Sequence, residues 1–154
     1  MARAREMPVT LSVLDRLSER KEFPATHAAS LRMLKESIRR DLEELLNTRR
    51  SLTGELDEYA AARSSVVNYG LEDLNSITPL SRVDALELQR AVQQCVVEYE
   101  PRLRDVTVSV EGGPDLLRRE VRLHIEATIP VHPGAETVSF DTMLDLASGT
   151  YSIG

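Results

Sequence analysis

Aromatic residues are scarce in the sequence: they make up 4% of its 154 residues, and tryptophan is absent. Carbohydrate platforms and base-stacking surfaces both rely on aromatic faces, so this scarcity argues against them. A broad nucleic-acid footprint also needs a basic domain or stripe, whereas the net charge here is -6. We therefore expect no nucleic-acid partner.

Cysteines and long apolar runs are also nearly missing. Cys95 is the one cysteine, so no intramolecular disulfide can form, which fits a reducing compartment. No apolar run approaches the roughly 18 residues that a membrane-spanning helix requires. The N-terminus has early arginines but lacks the uninterrupted apolar core of a signal peptide. These absences predict a cytoplasmic protein without direct membrane insertion.

The residues that are present suit a globular domain, because 42% are hydrophobic and 29% are charged in a length that fits one core. We divide the chain into an N-terminal amphipathic segment with a linker, residues 1–27, and a main domain, residues 28–154. Helical patterns come first and alternating strand patterns follow. The order predicts an α+β fold, with helices packed on one face of a small antiparallel β-meander.

The N-terminal segment carries Leu11, Leu14 and Leu17 at three-residue steps, which predicts a short amphipathic helix. This spacing fits contact with a partner and contact with its own domain equally well. Residues 18–29 are polar around Pro24 and predict a linker that lets the segment lie away from the domain.

Two long helices are predicted from apolar residues at steps of three and four. The first begins near Ala28, and the second follows Ser81 and ends before Pro101. Their apolar stripes are Leu31, Leu34, Ile38, Leu42, Leu45 and Leu46 in the first, and Ala85, Leu88, Val92, Cys95, Val96 and Tyr99 in the second. Between them, Asn68 and Gly70 suit turn positions, Gly70 with a positive φ.

Strict alternation of apolar and polar residues marks the C-terminal third as β. The first strand is predicted from Val106, and the last one is a short strand at Tyr151 and Ile153 that ends the sequence. The apolar positions are Val106, Val108 and Val110, then Val121, Leu123, Ile125, Ala127 and Ile129, then Val138 and Phe140.

No cluster with the chemistry of a metal site or a nucleophile stands out. The histidines His27, His124 and His132, with Cys95, do not have zinc-ligand spacing. Cys95 falls on a helical stripe, where a buried, inert thiol is expected. The sequence lacks a nucleophile elbow, a P-loop and a dinucleotide fingerprint. We expect neither a metal nor a cofactor.

Paired carboxylates are the remaining catalytic possibility, since a glycosidase needs two acids flanking a sugar. The acids considered are Glu98, Glu100, Asp105, Glu111 and Glu126. None of them lies in an apolar stretch that would raise its pKa, so we interpret them as solvated charges.

The tripeptide Glu100-Pro101-Arg102 lies where the second helix gives way to the first strand. A strand starting at Arg102 would put Arg102 and Arg104 on the face of the core valines. We therefore predict a turn over residues 102–105, with the strand starting near Val106. The tripeptide is then a helix stop with local pairing of Arg102, or a rigid corner whose guanidinium contacts a partner carboxylate.

Four stretches, in order, carry a resemblance to a known family: SVLDRL (residues 12–17), SIRRDLEELLNTRR (37–50), VVNYGLEDL (66–74) and EPRLRDVTV (100–108). A meander containing VSFDTMLDLASGTYSI follows them. On these stretches the chain resembles the TssE family, the small baseplate wedge proteins of type VI secretion systems. That family is similar to a contractile-phage baseplate wedge protein with a historical lysozyme-like label.

The resemblance implies a non-enzymatic, structural baseplate subunit whose fold is like the core of sheath subunits. It implies that Glu100, Pro101 and Arg102 face the sheath and help to dock and nucleate it. Tyr151 and Ile153 would lie on a sheet edge that accepts a partner strand by β-augmentation. The leucines of the N-terminal segment would contact wedge partners.

The partners implied are wedge subunits of the TssF, TssG and TssK types and sheath subunits of the TssB and TssC types. No small-molecule substrate is implied, and the assembly would lie in the cytoplasm near the inner membrane. Two alternatives remain open: a muramidase-type hydrolase that uses Glu98 or Glu100 as its acid, and a regulatory module with a peptide-binding sheet edge.

Overall fold

In the part of the chain that the structure describes, two long helices pack on a four-stranded antiparallel sheet. The structure is a computed structural model that describes residues 9–17, 24–50, 58–59, 61, 65–72, 82–115, 119–132 and 134–154. The elements in order are α1 (Val13–Leu17), α2 (His27–Asn47), a 3₁₀ turn (Val66–Asn68), α3 (Arg82–Tyr99), β1 (Arg104–Asp115), β2 (Glu120–Val131), β3 (Gly134–Asp145) and β4 (Thr150–Ile153). The strand order is β1-β2-β3-β4, each pair antiparallel, which confirms the predicted α+β meander.

The hydrophobic core lies between the two long helices and one face of the sheet. Both predicted helical stripes face it, with Leu31 and Tyr99 only partly covered. Along β2 every second residue is buried, and the intervening side chains face solvent or are half-buried. This is the pattern of a sheet that carries helices on one side alone. The predicted second helix, α3, ends at Tyr99 as the proline signal required.

Helix α2 begins at His27, one residue before the predicted start. Thr26 caps it, because the Thr26 hydroxyl accepts the N–H of Ala29 at 3.2 Å. Of the predicted linker, residues 27–29 are helical and residues 18–23 lie outside the described part of the chain. The expectation that the N-terminal segment stands away is wrong, since Val9 N–H donates to Ser30 Oγ of α2 at 2.8 Å.

The turn region confirms the prediction for Gly70, which has φ of 108°. A Cβ there would lie 2.2 Å from the carbonyl oxygen of Thr48, so only glycine fits. The close approach lets Leu71 N–H bond the same Thr48 oxygen at 2.9 Å. Asn68, the last residue of the 3₁₀ turn, is buried.

The first strand starts at Arg104, two residues earlier than predicted. Arg104 nevertheless points to solvent, because a bulge separates it from the core-facing valines. The pairing register shifts between Arg104 and Thr107, and Asp105 takes a φ of 50°. A bulge adds one residue to a strand and reverses its facing. In a regular strand, Arg104 would face the core together with Val106. A bulge, and not the longer turn that we predicted, keeps Arg104 on the solvent side.

Candidate functional site

The corner between α3 and β1 is organised around the guanidinium of Arg102. Its Nε donates to Glu100 Oε1 at 2.6 Å, and its Nη2 donates to the other oxygen of Glu100. Nη2 also donates to Asp41 Oδ2 of α2 at 2.6 Å. The turn is closed by Leu103 N–H on the Glu100 carbonyl at 3.1 Å. Local pairing of Arg102, one of the two interpretations left open by the sequence, is therefore present.

These contacts set the electrostatics of the corner. The hydrogen bonds that Arg102 donates to Glu100 raise the pKa of Arg102 above its ordinary value, burial opposes the rise, and the contact with Asp41 adds to it. The guanidinium thus stays charged at any pH the folded protein meets. Its planar fork is held by two carboxylates, so it keeps one orientation.

A second arginine extends the network toward the N-terminus. Arg40 Nη2 lies 3.3 Å from Asp41 Oδ1 and 3.5 Å from Asp15 Oδ1. Asp15 is buried and also accepts a 2.7 Å hydrogen bond from the hydroxyl of Ser12. We call Asp15, Arg40, Asp41, Glu100 and Arg102 the corner cluster.

The corner cluster joins three parts of the chain: the N-terminal segment, α2, and the turn before β1. Ser37 Oγ lies at its centre, 3.5 Å from Arg40 Nη2 and 3.4 Å from Arg102 Nη1. The sequence analysis did not identify Asp15, Arg40 or Asp41 as members. One signal was present for Asp15, since Ser12 followed three residues later by an acid resembles a capping box.

The predicted docking tripeptide divides into a buried and an exposed part. Glu100 is only 4% exposed, and both of its oxygens bind Arg102, so it orients the arginine and does not face solvent. Pro101 is exposed, and the side chain of Arg102 keeps 28% of its surface open. Within the tripeptide, Pro101 and the outer edge of Arg102 are therefore the parts that face solvent.

The N-terminal segment both docks on the body and faces solvent. Leu11 and Asp15 are buried, whereas Leu14 is 74% and Leu17 is 76% exposed. Leu11 is therefore buried within the protein itself and is not available to a partner. The surface that remains for a partner is the exposed side of α1.

Strand β4 lies at the sheet edge, as the resemblance implied, but its outer side is occupied. Asn47 of α2 donates to the carbonyl of Tyr151 and accepts its N–H, both at 2.8 Å. Arg39 Nη1 donates to the carbonyl of Ile153 at 2.9 Å. The side chains of Tyr151 and Ile153 are buried in the core. Polar side chains of α2 therefore bind the edge that an incoming strand would need there.

The raised pKa values of Cys95 and His124 have structural causes. Burial raises the pKa of the Cys95 thiol to about 12, so a reactive thiolate does not form near neutral pH. His124 Nδ1 lies 2.6 Å from Asp141 Oδ1 on the solvent face of the sheet, and this contact raises the pKa of the histidine. Across the described ranges, no three histidine, cysteine or acidic side chains are grouped as a metal site would need.

Comparison with known protein families shows which class of protein has this sequence and fold. Residues 32–134 match the family described as "Baseplate wedge protein gp25", and this range holds four of the five cluster residues. The chain belongs to that family and is a structural subunit of a baseplate. The resemblance to TssE-type wedge proteins seen in the sequence is thereby confirmed.

A solved chain shows the same fold at low sequence identity. It comes from a structure titled "The baseplate complex from the type VI secretion system", with a TM-score of 0.51 and 20% identity, covering 71% of this chain and 93% of that one. No curated protein sequence matches significantly. Within the described residues, no helix is long and apolar enough to cross a bilayer.

Proposed function

We propose that the protein is a wedge subunit of a type VI secretion baseplate that docks the first ring of contractile sheath. Its wedge partners are subunits of the TssF, TssG and TssK types, and its sheath partners are of the TssB and TssC types. It acts without catalysis, in the cytoplasm close to the inner membrane. Family membership and the shared fold of the type VI baseplate chain support this assignment.

The fixed orientation of Arg102 is the observation that carries the sheath-docking role. Glu100 and Asp41 hold the guanidinium before any partner arrives, so binding sacrifices little side-chain entropy. Pro101 restricts the backbone beside it and is exposed. A sheath carboxylate that reaches the open edge of Arg102 would meet a cation of fixed position.

Replacing Arg102 with lysine tests this role, because lysine keeps the charge but loses the planar fork. We expect a folded protein that supports few or no sheaths in cells with fluorescent sheath subunits. Arg90→Lys is the matched control, on an exposed site of α3 roughly 13 Å along the helix from its end. Normal sheath numbers with Arg102→Lys would contradict the docking role.

Folding must be separated from docking in that experiment. The melting temperature of each purified variant shows whether the domain is intact. If Arg102→Lys unfolds, Asp41→Asn replaces it, since that change keeps the pair between Arg102 and Glu100 but loosens the guanidinium. Loss of sheaths with a native melting profile supports docking.

The exposed leucines of α1 carry the wedge-joining role. Leu14 and Leu17 are apolar and largely in solvent, which is typical of residues that bind a partner. Changing both to serine should leave the fold intact and reduce recovery of the wedge subunits in affinity purification. Val66→Ser is the control, because Val66 is an exposed apolar residue elsewhere. Full recovery of the wedge with both leucines changed would refute this role.

A further inference from the structure

A line of alternating charges connects the N-terminal segment to the corner before β1. It runs through the corner cluster in the order Asp15, Arg40, Asp41, Arg102 and Glu100. Asp15 Oδ1 lies 3.5 Å from Arg40 Nη2, which lies 3.3 Å from Asp41 Oδ1. The other oxygen of Asp41, Oδ2, accepts from Arg102 Nη2 at 2.6 Å. Each side chain therefore contacts one of opposite charge, although the five come from three separate parts of the chain.

The contact with Asp41 ties the guanidinium of Arg102 to α2. Glu100 also binds this guanidinium, but it lies only two residues away, in the same closed turn. The ion pair with Asp41 comes from outside that turn, 61 residues earlier in the chain. The direction in which the Asp41 carboxylate points therefore determines how Arg102 is oriented against the rest of the protein.

Packing alone does not fix the direction of Asp41, because its side chain is 30% exposed. A partly exposed aspartate can take more than one staggered rotamer. Here each carboxylate oxygen faces a different guanidinium, Oδ1 facing Arg40 and Oδ2 facing Arg102. The position of Arg40 thus helps to hold Asp41 in the rotamer that reaches Arg102.

Arg40 does not meet Asp41 by helical geometry. The two residues are neighbours in α2, and neighbouring side chains on a helix point about 100° apart and do not face each other. Their 3.3 Å contact requires the side chain of Arg40 to bend toward Asp41. With 41% of that side chain exposed, its charge could instead extend into water.

Asp15 supplies the attraction that keeps Arg40 in this position. The side chain of Asp15 is 7% exposed, and a buried carboxylate is costly without a cation beside it. The Ser12 hydroxyl donates to Asp15 Oδ2 at 2.7 Å, which leaves Oδ1 facing Arg40. The burial of one acid in the N-terminal segment therefore restrains the arginine on which Asp41 depends.

We propose that Asp15 is a positioning residue for sheath docking, which acts through Arg40 and Asp41 to hold the guanidinium of Arg102 in its docking orientation. The inference rests on the proposed docking role of Arg102 and adds the N-terminal segment to the machinery of that contact. Asp15 is buried, so it affects sheath affinity without touching the sheath.

Asp15→Asn in the full-length protein tests this relay, because the amide keeps the size of the side chain and removes its charge. The first readout is the NMR signal of Arg102 Nε–H, assigned by its loss in Arg102→Lys. We expect its exchange with water to become about fivefold faster, and the affinity for purified sheath subunits to fall about fivefold, the lower end of typical coupling between linked sites. Glu87→Gln makes the same change of charge at an exposed site of α3 and should alter neither.

The NMR signal separates positioning from a merely structural role. If Asp15 only stabilised the fold, Asp15→Asn would lower the melting temperature and leave Arg102 Nε–H unchanged, which would overturn the relay. If Asp15→Asn does not fold, Ser12→Ala replaces it, since that change frees Asp15 Oδ2 and keeps every charge. Ser12→Ala should speed the same exchange about twofold, and no change would overturn the relay.

Sheath affinity distinguishes failure of the relay from failure of the docking role. Native affinity in Asp15→Asn with loss of binding in Arg102→Lys would reject the relay and keep the docking role. Native affinity in both variants would reject both.

Discussion

Breaking the pair between Arg102 and Glu100 is the most informative perturbation of the fold. Arg102→Met keeps the apolar stem of the side chain but leaves Glu100, which is 4% exposed, without the guanidinium that binds both of its oxygens. Removing one member of a buried ion pair costs about 3–5 kcal/mol. Because the side chain of Arg102 is 28% exposed, solvent screens part of the interaction, and we place the loss below that range, at about 2–3 kcal/mol.

Such a loss is easily measured by thermal and urea unfolding. One kcal/mol shifts the melting temperature of a domain of this size by about 2–4 °C, so Arg102→Met should lower it by roughly 4–12 °C. Adding Glu100→Leu removes the unpaired carboxylate and should restore much of the stability. A shift of less than about 1 °C for the single variant, or no recovery in the double one, would refute this account of the corner.

Three further predictions concern other parts of the fold. Gly70→Ala should destabilise the protein by at least about 2 kcal/mol in urea unfolding, because the new Cβ would clash with the Thr48 carbonyl. Gly112→Ala is the control: its Cβ would point into open space, so the change should cost only about 1 kcal/mol, for the positive φ. Asn47→Ala should cost about 1–2 kcal/mol and speed amide exchange in β4, because it leaves the N–H and C=O of Tyr151 without their partner. Unchanged exchange would argue against capping of this edge by Asn47. The pKa of His124 is raised mainly by its bond to Asp141, so the stability it contributes is complete below its unfolded pKa of about 6.5 and is lost as the pH rises through the folded pKa. An NMR titration in which Asp141→Asn leaves the pKa of His124 unchanged would disprove that cause.

The long helices and the sheet were predictable because their signals are local and repeated. In α2, buried residues recur on one side of the helix from Leu34 to Leu46, and in β2 every second residue is buried. Each of these patterns repeats several times, so many residues indicate the same element. The stop at Pro101 is a single-residue effect of covalent geometry. These features need no knowledge of distant contacts.

The corner and the sheet edge depended on contacts between distant residues. The bulge at Asp105 leaves no clear local signal, and only pairing with β2 requires it. Closure of β4 depends on Asn47, which lies 104 residues earlier in the chain than Tyr151. Burial of Asp15 likewise depends on Arg40 of α2. Sequence reasoning therefore found Glu100 and Arg102 as candidates, but not Asp41, which binds the guanidinium from α2.

Arg102, which we propose to dock the sheath, also has a structural role in the corner cluster. Arg102 is kept in place by carboxylates from its own turn and from α2, and Arg40 ties the same acid, Asp41, to the N-terminal segment. A rigid cation at a corner is a precise contact for a neighbouring subunit. Arg102 also belongs to the cluster that holds the N-terminal segment, α2 and the turn before β1 together. Its loss would therefore destabilise the contacts among all three, so stability and docking must be measured separately.

Photo-crosslinking from position 101 in assembled machines tests the central claim most directly. Pro101 is exposed beside Arg102, so a photoreactive residue there reports which protein covers the corner. Position 86, an exposed leucine on α3, serves as the control site. The account predicts crosslinks from position 101 to sheath subunits, which disappear when sheath assembly is blocked. Crosslinks from position 101 to wedge subunits alone, or none in machines with full sheaths, would contradict it.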